Sequence, residues 1–387
     1  MTPAQPSLMN TTRRLGLLAL VAAIVLAAGV ALAPERVWSN MLVVTFYLAT
    51  LGLGGALFIA LAYASNAGWN VAFRRIPEAM TVLLATAGVA LLAVLALGRM
   101  NYSWHLQGTG DAGTFWFKEL WMNPTFWMVR AVAYVAVWII LARGLVAVSR
   151  RQDISKNVGL TLLNRRLSGL FLVVYAVTFS LASCDWLMLL EPMWFSTAWG
   201  VYNFAGMIQA AVAAIIVFVI VLRNRGPLRG ILTDDHLHDL GKLLLSFSCF
   251  WIYIWFSQYM LIWYTNIPEE TSYYMTRTQG PWGPLMVVNV VLNWVAPFFI
   301  LLPKASKRSE SVMMKVAVVV LIGRWVDLYV MVFPSTIGET PVFGVWELAG
   351  AGLLVGATGW LFFRSMAKAA PVPIGDPLLS ESLHYRL

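Results

Sequence analysis

An all-α, polytopic membrane fold is what this 387-residue sequence predicts, on three observations. About ten stretches, each of the roughly 20 residues a bilayer core demands, are apolar enough to cross a membrane. The chain is 60% hydrophobic and 12% charged, with a mean hydropathy of +0.73, a balance that leaves a water-soluble protein too little polar surface. The loops between the stretches alternate in charge. Hydrocarbon offers no water to backbone N–H and C=O groups, so each crossing must be a helix that satisfies its own backbone.

Taken in order, the spans read 15–33, 41–63, 79–98, 124–149, 167–189, 196–222, 239–264, 284–302, 312–333 and 341–363. The first run is too long for the apolar part of a signal peptide. It reads as a retained span, although Ala31-Leu32-Ala33 resembles a cleavage site. The second carries Gly52, Gly54 and Gly55 in mid-span, where missing side chains allow close helix approach. Along the chain, every second loop is basic. Arg13 and Arg14 precede the first span, and Arg74 and Arg75 follow the second. Arg150, Arg151, Lys156, Arg165 and Arg166 lie between the fourth and fifth. Arg223, Arg225 and Arg229 follow the sixth, Lys304, Lys307 and Arg308 the eighth, and Arg364 and Lys368 the tenth. The opposite loops hold only Arg36, Arg99, Lys118 and Arg277. Basic loops stay on the cytoplasmic side, so both termini are expected there. The net charge of +9 is then a matter of topology. No basic run interleaved with aromatics points to nucleic acid.

The opposite loops are acidic and aromatic. Residues 99–123 include Tyr102, Trp104, His105, Trp116, Phe117 and Trp121, with Asp111 and Glu119; residues 265–283 include Glu269, Glu270, Tyr273, Tyr274 and Trp282. Such rings form an interfacial belt or a docking surface for a partner. Metal chemistry within the chain is not expected. Cys184 and Cys249 lie in spans and outside any Cys-x-x-Cys pattern, which argues against covalent haem and iron–sulfur ligation. The four histidines, His105, His236, His238 and His384, avoid the depth of the spans, so no bis-His haem is available. No nucleotide-binding glycine motif occurs. His236 and His238, with Asp234 and Asp235, read as a solvated charged loop leading into a helix rather than a metal site.

Charges at bilayer depth are costly unless paired or hydrated, which makes each a functional candidate. Lys315 can snorkel to the interface. Asp239 and Lys242 can pair on one helix face, as can Arg324 and Asp327, three residues apart; both couples also suit a proton path, with Glu347 in the tenth span. Near the acidic end, Asp185 and Glu191, with His105, could accept the hydroxyl protons of a quinol beside an apolar slot, and Arg130 approaches the same face. A structural Arg130–Asp185 pair is the competing reading.

Two blocks carry a resemblance. One is Ala182-Ser183-Cys184-Asp185-Trp186 through Glu191-Pro192-Met193-Trp194-Phe195-Ser196-Thr197, followed by Gly200-Val201-Tyr202. The other runs from His236-Leu237-His238-Asp239-Leu240-Gly241-Lys242 to Asn266-Ile267-Pro268-Glu269-Glu270. Both resemble the ActF-type, NrfD-like integral membrane subunits of alternative complex III, a quinol:electron acceptor oxidoreductase. The resemblance implies two four-helix bundles, 41–189 and 196–333, flanked by peripheral helices 15–33 and 341–363, with a cytoplasmic tail 364–387. It implies quinol, menaquinol included, as ligand, and a location in the bacterial cytoplasmic membrane. It also implies a sibling NrfD-like subunit, an outer iron–sulfur protein, and multihaem and monohaem cytochromes c holding haem c and clusters as partners. Quinol contact would fall to Asp185, with His105, Arg130 and Glu191; a proton route would use Asp239, Lys242, Arg324, Asp327 and Glu347. A pure anchor, or the membrane subunit of a molybdopterin/iron–sulfur oxidoreductase, are the alternatives. A secondary transporter fits poorly, since Pro297 and Pro334 are too few and unpaired to signal broken helices.

Overall fold

The computed structural model describes residues 5–98, 101–102, 116–338 and 340–386, with backbone alone for 5–7 and Trp116. Among these there is no strand, and ten helices are long and apolar enough to cross a membrane. In chain order the helices are α1 (Gln5–Leu32), α2 (Pro34–Ala64), α3 (Arg75–Leu97), α4 (Trp116–Trp121), α5 (Pro124–Ser155), α6 (Gly159–Trp186), α7 (Trp199–Arg225), α8 (Asp234–Thr265), α9 (Pro268–Thr278) and α10 (Gly283–Val290). A π-helical turn (Val291–Val295) joins α10 to α11 (Ala296–Leu301); α12 (Lys304–Arg308), α13 (Glu310–Thr336), α14 (Val345–Met366) and α15 (Leu379–Leu383) follow. All ten predicted spans are present.

Local chemistry sets several boundaries. Pro34 opens α2, where a missing N–H costs nothing. Asn123 caps α5, its side chain accepting from the Thr125 and Phe126 amides at 3.1 Å. Thr233 and His236 cap the start of α8 reciprocally. His236 is thereby buried, 0% exposed, which corrects the expected solvated loop.

Three helices form the centre. The apolar stretch of α2 is wholly buried, and those of α7 and α13 nearly so. The mid-span glycines of α2 explain its position. A Cβ on Gly52 would lie 2.2 Å from the Leu84 amide nitrogen of α3, and one on Gly54 2.4 Å from the Ala211 side chain of α7. Helix α1 packs against α14 rather than alone, with Gly356 closed against the Ala19 and Leu15 backbone.

Ion pairs lie at both ends of the bundle. At the basic end Arg75 pairs with Glu78 and Asp153, Arg308 with Asp235, and Arg223 with Asp234 at 2.8 Å. The tail is folded onto this end. Arg74 binds Asp376 at 2.6 Å, the Gly375 amide donates to Asp153 at 3.1 Å, and the Ser382 hydroxyl donates to the Trp69 carbonyl at 2.6 Å. Tyr385 donates to Asp239; burial, then that bond, pushes the Tyr385 phenol up to about 12. Nearby, Lys307 donates to the Leu301, Leu302 and Pro303 carbonyls at 2.5–3.2 Å, capping α11. Burial, then neighbouring Lys242, lowers its pKa.

At the opposite end, Pro334 interrupts α13 and leaves the Val330 carbonyl without its helical donor. Arg277 of α9, 0% exposed, supplies it. The guanidinium donates to Val330 at 2.9 Å, Met331 at 3.0 Å and Ser335 at 2.9 Å, and pairs with Glu191 at 2.7 Å. Removing one partner of such a pair strands the other charge, so Arg277→Met should destabilise the protein by roughly 3–5 kcal/mol. Thermal unfolding in detergent measures this, and a melting point within a degree or two of wild type would contradict the assignment.

Candidate functional site

Polar residues inside the helices gather into two clusters. The larger centres on Asp327 of α13. This residue lies 17 positions, roughly 26 Å, from the Glu310 end of its helix and 9 positions, roughly 14 Å, from the Thr336 end. Its carboxylate accepts from Arg324 Nη1 at 2.5 Å, Asn289 Nδ2 at 3.0 Å, Trp251 Nε1 at 3.4 Å and the Tyr202 hydroxyl. Arg324 and Asp327 are each 1% exposed, and four helices, α7, α8, α10 and α13, meet on them. Arg324 reaches Asn203 Oδ1 at 3.1 Å. Gly206 makes room for it, since a Cβ there would lie 2.3 Å from the guanidinium.

The cluster continues as a column. Asn289 accepts from Asn293 Nδ2 at 2.7 Å. Pro297 cannot donate to the carbonyl four residues back, and that carbonyl belongs to Asn293. Gln209 of α7 donates to it at 2.6 Å and to Ser248 Oγ of α8 at 2.9 Å. The π-helical turn falls on these residues, as π turns do where a helix ladder is interrupted. Several atoms in the column are buried without a protein partner: Arg324 Nε, Gln209 Oε1 and Asn293 Oδ1. Beside Asp327 lies a cavity of about 10 Å³ bordered by Tyr202, Tyr273, Tyr274 and Asn289, about what one water needs.

In the second cluster the carboxylate is fully engaged. Asp185 of α6 accepts from Arg130 Nε and Nη2, both at 3.0 Å, from Trp121 Nε1 at 2.7 Å and from the Tyr134 hydroxyl at 3.3 Å. Trp127 Nε1 donates to its backbone carbonyl at 2.9 Å. Arg130 is also sandwiched by the Trp121 and Phe126 rings, 3.9 and 4.5 Å from their centroids. On the same helix α5, an apolar groove of about 460 Å³ opens toward α3, lined by Leu95, Pro124, Thr125, Met128 and Val132 among others.

The predicted residues therefore divide. Arg130 meets Asp185, while Glu191 bonds Arg277 and Ser335 instead. His105 lies outside the described residues. Of the proton-path candidates, Arg324 and Asp327 are joined, while Asp239 pairs with Lys242 at the basic end. Glu347 belongs to neither group. It binds Arg36, and Asn40 donates to it at 2.9 Å, at the end opposite the tail. Sequence reasoning missed the uncharged members of the column, Tyr202, Gln209, Ser248, Trp251, Asn289 and Asn293. The four-residue spacing of Asn289 and Asn293 in an apolar run was the available signal. Also missed were the buried Arg74, Arg75 and Glu78, read only as loop charges or passed over. Among the described residues no group of three or more His, Cys, Asp or Glu side chains is placed to hold a metal.

Fold and site together define a multi-pass, all-α membrane protein with a buried polar column in one half and a buried Arg130–Asp185 ion pair in the other. Compared with known proteins, the sequence matches no family model and no curated relative.

The Arg130–Asp185 pair should behave as structure. Asp185→Asn and Arg130→Met should each cost about 3–5 kcal/mol, because each strands a buried partner. The double variant should cost clearly less than their sum. Additive losses in chemical denaturation would show that the two side chains do not act together.

Proposed function

We propose that this chain is an integral subunit of a quinol:electron acceptor oxidoreductase of the alternative complex III type, and that its own contribution is proton conduction rather than electron transfer. In this reading the basic end faces the cytoplasm of a bacterial inner membrane. The aromatic end carries the iron–sulfur and cytochrome c partners, and a sibling NrfD-like subunit lies alongside. The two blocks that carry the family resemblance meet in space, with Trp194 donating to the Glu270 carbonyl at 3.0 Å, which supports treating them as one functional unit.

The observation that carries the proposal is the Asp327 column. A carboxylate with a guanidinium partner, a phenol, amides and a hydroxyl, threaded through apolar helices, supplies what a proton needs in hydrocarbon: titratable groups with hydrogen-bonding neighbours between them. Buried polar atoms without a protein partner, Arg324 Nε, Gln209 Oε1 and Asn293 Oδ1, lie along it.

Asp327→Asn keeps the volume and hydrogen-bonding shape but removes the ionisable group. In the reconstituted complex it should abolish proton translocation while quinol oxidation stays within about twofold, an effect under 0.5 kcal/mol on the barrier. Measuring both in the same vesicles decides the matter. Proton transfer at the wild-type ratio would refute the role of the column.

The apolar groove between α3 and α5 favours a second reading. About 460 Å³ falls within the range of small-ligand sites, and Arg130 lies on the same helix. A photoreactive quinone that labels Met128 or Thr125 would place quinol on this subunit.

A further inference from the structure

The paired helices α1 and α14 share one feature that neither the topology nor the proton reading uses. Their packing fixes a register: Ala19 lies against Gly356, Leu15 against Gly359, and Gly16 against Trp360. Paired positions run oppositely along the two helices, so Arg364 comes level with Thr11, within one turn of Arg13 and Arg14, and Lys368 lies one turn further toward the basic end. All four side chains are exposed. None takes part in an ion pair among the described residues. Helix α1 carries no acidic residue, and the single carboxylate of α14, Glu347, is at the far end, bound to Arg36.

Elsewhere at the basic end, Arg74, Arg75, Arg223 and Arg308 do have carboxylate partners. The site also has an interfacial wall. The Arg364 guanidinium lies 5.0 Å from the Trp360 ring centroid, and indoles settle at headgroup depth. Both helices are among the least buried of the ten, with 22% and 28% of their apolar stretches covered. Their outer faces therefore meet lipid chains, and the four cations lie where those chains end.

We propose that the basic end of the α1–α14 pair is a binding site for an anionic phospholipid, its phosphate held by Arg13, Arg14, Arg364 and Lys368 and its acyl chains laid along the two helices. Guanidinium groups offer paired N–H donors to phosphate oxygens. At the membrane surface each added cation strengthens attraction to anionic lipid by about fivefold at low salt.

Spin-labelled lipids in vesicles test this on the full chain. The wild-type protein should immobilise phosphatidylglycerol in preference to phosphatidylcholine. R364Q/K368Q, which leaves the N-terminal arginines and the other basic loops in place, should lower that preference by about 25-fold, two charges at about fivefold each. R13Q/R14Q/R364Q/K368Q should abolish it. R165Q/R166Q removes the same charge from the basic end of α6 and should leave it unchanged. The site is refuted if R364Q/K368Q keeps the wild-type preference, or if R165Q/R166Q loses as much, since the effect would then be diffuse surface charge. Immobilised phosphatidylcholine should be equal in all variants and reports correct insertion.

Discussion

Two prolines inside membrane helices shape the half of the protein that holds the polar column. A proline leaves the carbonyl four residues before it without a donor, and hydrocarbon cannot supply one. An unmade bond there costs several kcal/mol. Pro297 exposes the Asn293 carbonyl and Pro334 that of Val330. Each is satisfied from another helix, by Gln209 and by Arg277. These repairs fasten α7, α9, α11 and α13 together. They also account for polar residues in the interior: Gln209 is buried because a carbonyl needs it, and Arg277 because two carbonyls and Glu191 do.

The two buried ion pairs play different parts on the same physical ground. Pairing offsets desolvation without giving much net stability, whereas breaking a pair is expensive. At Asp185 the carboxylate oxygens are all engaged, and rings close on Arg130. Such a site holds the ends of α5 and α6 in place. At Asp327 the pair is embedded among amides and hydroxyls that are only partly satisfied.

The features legible in the sequence were those with local causes. Spans follow from hydropathy, and the packing of Gly52 and Gly54 from the lack of a side chain. The basic end follows from alternation of the loops. Grouping of residues was not legible, because partners come from helices far apart in sequence: Gln209 with Asn293, Arg277 with Val330. Pro297 and Pro334 were weighed as too few to break helices, when their importance lay in which carbonyl each released. His236 looked solvated because the tail that covers it, through Ser382 and Tyr385, lies about 150 residues on and polar composition alone gave no hint that it folds back.

The column also has a direction. From Asp327 it runs through Asn289, Asn293 and Gln209 to Ser248, and there it stops. The next turns toward the basic end bring Leu244 of α8 and Val316 and Val320 of α13, all 0–1% exposed. Only beyond them come Lys242 and Asp239, the nearer of which is six residues from Ser248, roughly 9 Å along the helix. An apolar plug of that thickness separates the buried acid from the basic end, while the Glu191–Arg277 cluster and the aromatic loops lie on its other side. Under the proposed proton-conducting role, a proton at Asp327 would be held there until helix movement or water bridged the plug. Since Lys307, Gly241 and Met313 pack together at the foot of the same helices, any shift of α8 against α13 acts directly on that barrier.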